Sequence, residues 1–183
     1  MKPAGIVLDD TERLQWDFTP LVSVGPLRFG MSFHEVAAAL DDDIPSGLSH
    51  GRWGVRYVHF HLPTSHGLAL TAYFAESGCL SCIAIDAHHG PQVTMNGLRL
   101  VGRVPSQLVD LFVDYLQSQG LGDAVRASQY GDIGADEFGL VLRAQRADDI
   151  LLTRPVFVAR EWADRVCDVT EGAVPEEEWQ VYC

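Results

Sequence analysis

GPLRFGMSFHEVAAAL, residues 25–40, has an echo in NGLRLVGRVPSQLVDLF, residues 96–112, once a single residue is inserted in the second copy. This internal similarity decides how the chain is divided. Leu27, Arg28 and Phe29 align with Leu98, Arg99 and Leu100. A Gly and then a Ser suited to capping a helix follow each Leu-Arg pair. Ser32 with Glu35 three residues on forms a capping box, and Ser106 follows Pro105 in the second copy. Val36 and Leu40 in the first copy, and Leu108, Leu111, Phe112, Tyr115 and Leu116 in the second, repeat at helical spacing. Both copies therefore predict an amphipathic helix.

Strand-like segments come after each helix. GVRYVHFHL (54–62), GLALTAYF (67–74) and CLSCIAID (79–86) are separated by PTSH and AESG, which read as hairpin turns. In the second half a long polar loop precedes FGLVLRAQ (138–145) and DILLTRPVFVARE (149–161), where Pro155 marks an edge or a bulge. The expected fold is α+β, with two related helix-then-antiparallel-strand units spanning 1–92, with an N-terminal extension, and 93–183, with an acidic C-terminal tail. The helices would cover one face of the sheet and leave the other exposed. Neither helix could bury its apolar stripe within its own unit, so the two units are expected to share a core and fold together.

LRFGMSFHEVAAAL resembles the unit signature of the secreted β-lactamase inhibitor protein family, in which a Gly-Met-Ser/Thr triplet opens the helix of each of two tandem units. It is also similar to the small outer-membrane assembly lipoproteins that share that unit. The resemblance covers Leu27 to Leu40. The second copy, Leu98 to Leu111, has GRVPSQL in place of the triplet, and Asp41 stands where the signature has Gly. The resemblance implies helices on one face of an antiparallel sheet and an opposite, concave face that grips an enzyme. It implies nothing about which enzyme.

The chain has 183 residues, 47% of them hydrophobic and 21% charged, which is enough to bury a core without staples and argues against disorder. Its apolar runs fall short of the roughly 18 residues a membrane helix needs. Asp9, Asp10 and Glu12 interrupt the place where a secretory apolar segment would continue, so a cytoplasmic setting is expected, with Cys79, Cys82, Cys167 and Cys183 as thiols. The scarcity of Lys and Asn beside abundant Ala, Arg, Val and Asp fits a GC-rich bacterial genome. Twenty-five acidic against 13 basic residues give a formal net charge of −12. That opposes nucleic-acid binding, which rests on phosphate neutralisation, and favours a basic protein partner.

Five histidines fall in two short stretches, YVHFHLPTSHG (57–67) and DAHHG (86–90). Alternation puts Val58, Phe60 and Leu62 on the core face of their strand and Tyr57, His59 and His61 on the other. His59 and His61, with His66 in the next turn, are a candidate set for zinc, and a small metal-dependent enzyme, or one using a pocket between the units, is the alternative reading. The favoured reading is non-catalytic, with no cofactor. It is a protein-binding or inhibitory protein, of which an immunity protein against a toxin enzyme is one form. Trp53, Tyr57, His59, His61 and Tyr73 form its exposed sheet face, and Asp41, Asp42 and Asp43 an acidic loop that steers a basic enzyme toward it.

Three motifs are read as structural. CLSC puts Cys79 and Cys82 three apart in a strand, on opposite faces, which suits neither a shared metal nor a disulfide. GLSHG (47–51) spells a nucleophile elbow but lacks the strand before Ser49 and the helix after it. Glu176, Glu177 and Glu178 read as a solvated acidic run.

Overall fold

The computed structural model describes residues 7–41, 48–63, 65–180 and 182. Strands β1 (Gln15–Thr19), β2 (Ser23–Val24) and β3 (Leu27–Arg28) lead into helix α1 (Phe33–Ala39). After it come β4 (Ser49–His50), β5 (Arg56–Phe60), β6 (Leu70–Phe74) and β7 (Leu80–Ile85). The second half runs through β8 (Gln92–Met95) and β9 (Leu98–Arg99) to α2 (Pro105–Ser118), then β10 (Val125–Ala127), β11 (Ile133–Ala135), β12 (Leu140–Ala147) and β13 (Ile150–Val158).

The large sheet has eight strands in the order β10-β11-β12-β13-β7-β6-β5-β4, every neighbour antiparallel. Two four-strand meanders, one from each half, meet where β13 pairs with β7 through Val156↔Ala84, Phe157↔Ile83 and Val158↔Cys82. That ladder begins one residue past Pro155, which has no N–H to give it. A second sheet, β3-β2-β1-β8-β9, joins the halves through the parallel pairing of β1 with β8. The two halves thus share both sheets.

This corrects the expected architecture of helix-then-strand units with helices on one face. Strands take 34% of the fold and helical turns of every kind 22%, and the described residues contain two α-helices. The cause lies in the Leu-Arg segments. They are short strands, and with β1, β2 and β8 they build a second sheet whose apolar side needs cover as much as the helices do. The main core therefore gathers Val36 of α1 and Leu40 just past its end, Leu108, Phe112 and Leu116 of α2, Trp16, Phe18 and Val93 of the small sheet, and Phe60, Phe74, Ile83 and Phe157 of the large one. Phe18 and Phe157 touch across it, ring centroids 4.6 Å apart.

The start of α1 follows its sequence cue, whereas in α2 Val104 takes the cap position and Ser106, expected to cap, lies inside the first turn. Ser32 Oγ accepts from the Glu35 N–H while the Glu35 carboxylate accepts from the Ser32 N–H, closing the capping box. In α2 Pro105 occupies the first turn, where its missing donor costs nothing. At the β2–β3 turn Gly25 has φ +56°, and a Cβ there would sit 2.3 Å from the Trp16 ring. Gly25→Ala should therefore lower stability by roughly 2 kcal/mol or more, read by urea denaturation, from left-handed strain and displacement of the indole together. A change of less than 0.5 kcal/mol would show that the ring moves aside freely.

The opposite face of the large sheet is not open. Residues 159–180 cross its centre, and Ala163, Val166, Cys167, Val174 and Trp179 bury Tyr73, Cys82, Ala84, Val141, Val156 and Val158. The sheet-face sites survive only toward the β4–β5 edge. No helix among the described residues is long and apolar enough to cross a membrane.

Candidate functional site

Under the C-terminal strap lies a polar centre. Arg154 of β13 and Glu178 are both completely buried, with Arg154 Nε 3.1 Å and Nη2 3.2 Å from the Glu178 carboxylate. Burial alone would lower the Arg154 pKa, but Glu178 reverses that and drives it above its ordinary value. The Tyr73 hydroxyl donates to Glu178 Oε1, the Tyr182 ring stacks 4.0 Å over the Arg154 guanidinium, and Arg143 donates to the carbonyls of Glu178 and Gln180. Glu178 is thus no member of a solvated acidic run: an arginine on a central strand pulls it inward while Glu176 stays exposed.

The residues expected to form one binding face are separated by this arrangement. Tyr73 is 1% exposed and belongs to the buried centre, so it cannot anchor a partner. Tyr57 is half-buried, its ring 5.6 Å from that of Tyr73 and 5.5 Å from that of His59. His59 Nδ1 lies 3.0 Å from Thr71 Oγ1, and burial and nearby Arg154 push its pKa down, so the ring is neutral at pH 7. His61 is exposed at the end of the strand. Asp41 is exposed but follows Leu40, which is buried in the helix-side core, and Asp42 and Asp43 lie outside the described residues.

Trp53 is the most exposed of the large apolar side chains, at 92%. It sits in a tight turn, Arg52–Gly54, with φ 59° and ψ 32°, a left-handed conformation that a bulky residue adopts only under strain. The turn is closed by Gly51 N–H to the Val55 carbonyl at 2.8 Å and is tied to the C-terminal strap by Arg52–Glu176 at 2.8 Å. Beside it runs a groove of about 740 Å³ whose walls include Trp53, Tyr130, Trp162, Trp179, Glu176 and Glu177. Tyr130 is 60% exposed. Sequence reasoning reached Trp53 but missed Tyr130, Trp162 and Trp179. Two tryptophans in a 24-residue tail were the available signal that the tail packs rather than trails, since an indole seldom stays in water unless something holds it there.

The histidines assemble differently from expectation. Among the described residues the three donors that come within 4.8 Å of one another are those of Asp86, His88 and His89, not of His59, His61 and His66. His59 projects from β5 and His61 follows its last residue, whereas His66 stands exposed in the following turn. Asp86 caps its own loop. Its Oδ1 accepts from the N–H of His88 at 2.8 Å and of His89 at 2.9 Å, and its Oδ2 from Gln145 Nε2 at 2.8 Å. Cys79 is exposed and Cys82 buried, and Ser49 begins a two-residue strand. Comparison with known proteins gives no matching family model, no matching curated protein and no matching solved structure.

Proposed function

We propose that this chain is a non-catalytic protein-binding module, of the inhibitor or immunity type, which docks a basic protein through Trp53 and the groove beside it. The observation that carries the reading is the presentation of Trp53. A tryptophan left 92% in water on a left-handed backbone is costly twice over, in exposed apolar area and in strain of about 1–2 kcal/mol. Such costs persist where a partner covers the residue. Charge supports the basic partner: the net charge is −12, Glu176 and Glu177 line the groove, and Glu76 packs against Gly54 of the same turn. The resemblance of Leu27 to Leu40 to an enzyme-inhibitor unit points to the same class of activity. A concave grip at the middle of the sheet does not fit, because the C-terminal strap occupies it.

Trp53→Gly separates binding from folding. Glycine relaxes the turn, so the free variant should melt at or above the native temperature. Its affinity for the cognate partner, isolated from the native cell and measured by calorimetry, should fall at least about 30-fold, as for a central aromatic anchor. Affinity for that partner should also fall as salt rises. An unchanged affinity in Trp53→Gly would sink the assignment.

A further inference from the structure

We propose that the loop from Asp86 to Gly90 is a zinc-binding site, with Asp86, His88 and His89 as its protein ligands. The inference is independent of the protein-binding reading. Three features beyond proximity carry it.

The first is the donor set itself. One carboxylate and two imidazoles are the borderline ligands that Zn²⁺ takes at about 2.0–2.2 Å. Their donor atoms, already within 4.8 Å of one another, need only small side-chain rotations to surround one ion. Asp86 Oδ1 stands 3.8 Å from His89 Nδ1, which brings the carboxylate alongside that ring.

The second is the outer layer of hydrogen bonds. Zinc-bound imidazoles donate their remaining N–H to a carbonyl or carboxylate. His88 Nε2 lies 3.1 Å from the Arg146 carbonyl, which fixes the proton on Nε2 and leaves the Nδ1 lone pair for a metal. Asp86 Oδ1 is taken by the N–H groups of the two histidines and Oδ2 accepts from Gln145 alone, so the one lone-pair direction left for the ion is on Oδ2.

The third is the rigidity of the loop. Arg13 donates to the carbonyls of Ala87 and Gly90, the Leu8 N–H to the His88 carbonyl, and the Gly90 N–H to the Asp86 carbonyl. Gly67 makes room for the ligand ring, since a Cβ there would lie 2.6 Å from His89 Nδ1. The two arginines nearby weaken the attraction of a dication, but Arg154 is already answered by Glu178 and Arg13 faces backbone carbonyls. Three protein ligands leave the fourth zinc position for water or for His66.

Metal-free, untagged full-length protein titrated with Zn²⁺ against a chromogenic chelator tests the site. One equivalent should bind, at least 10-fold more weakly in His88→Ala and His89→Ala and unchanged in His61→Ala. Folding of each variant is checked by near-UV circular dichroism. If an alanine variant fails to fold, the native protein still decides: Zn²⁺ must shift the imidazole ¹H–¹⁵N resonances of His88 and His89 and leave those of His34 and His50 in place. No stoichiometric binding, native affinity retained in both alanine variants, or unmoved His88 and His89 resonances would overturn the proposal.

Discussion

Glu178→Gln should destabilise the fold by about 3–5 kcal/mol, with a drop in melting temperature of about 10 °C for a chain of this size. The amide keeps the shape of the carboxylate and removes its charge. Arg154, completely buried, then keeps only the more distant Asp86 as counter-charge: its Nη1 stands 3.8 Å from Asp86 Oδ2 and has no hydrogen-bond partner. An ion taken out of water and left uncompensated costs several kcal/mol. The effect should spread along the strap, because Arg143 Nε holds the Glu178 carbonyl at 2.9 Å and the Arg146 N–H holds the Tyr182 carbonyl at 2.8 Å. Removing both charges together, in Arg154→Met with Glu178→Leu, should recover most of the loss, since the pair attracts about as much as its desolvation costs. Urea denaturation of the three proteins measures this coupling. A Glu178→Gln variant within 1 kcal/mol of native would mean that water reaches Arg154 and that the strap is not closed by this pair.

That pair also marks where the sequence stops being informative. The alternation of Tyr57, His59 and His61 with Val58 and Phe60 was legible because β5 lies near the edge of its sheet, with one side wet. Extending that one-sided pattern to the whole sheet misplaced Tyr73. In LTAYF and LSCIAI every position is buried, and such runs, apolar or small on both parities, are the mark of strands covered on both faces. What covers them was harder to see. Residues 159–180 have short helical turns and irregular backbone, with no period to read, so their docking depends on Arg143 and Arg154, cross-strand partners on β12 and β13. The Ser32 and Glu35 cap was legible because all of its chemistry lies within four residues. The site around Asp86 was legible only in part: His88 and His89 are adjacent in sequence, but the partners that orient them, Gln145 and the Arg146 carbonyl, come from β12.

Between pH 9 and pH 11 the protein should lose most or all of its stability, well before surface charge alone would unfold it. Three buried acids cause this. Burial, with Glu178 beside it, pushes the Cys82 thiol far up; burial with Asp136 and Asp132 raises Cys167 to about 12; and burial with the negative charge of Glu178 lifts Tyr73 far beyond the ordinary phenol range. Each stays protonated in the native state at pH 10, whereas in the unfolded chain the thiols ionise near pH 8.5 and the phenol near pH 10. Above those values the unfolded state holds fewer protons than the native one, so the free energy of unfolding falls as pH rises. The stability these groups contribute is therefore complete below about pH 8.5, and each then removes about 1.4 kcal/mol per pH unit. By pH 11 the two thiols and the phenol together remove roughly 8 kcal/mol, comparable to the whole stability of a typical domain. Cys82→Ala and Cys167→Ala should each flatten this alkaline slope even where they lower stability at pH 7, because alanine has no proton to lose. Thermal melts from pH 7 to pH 11 test the prediction, and a melting temperature that stays level to pH 10.5 would show that none of the three groups is shielded from water in the native fold.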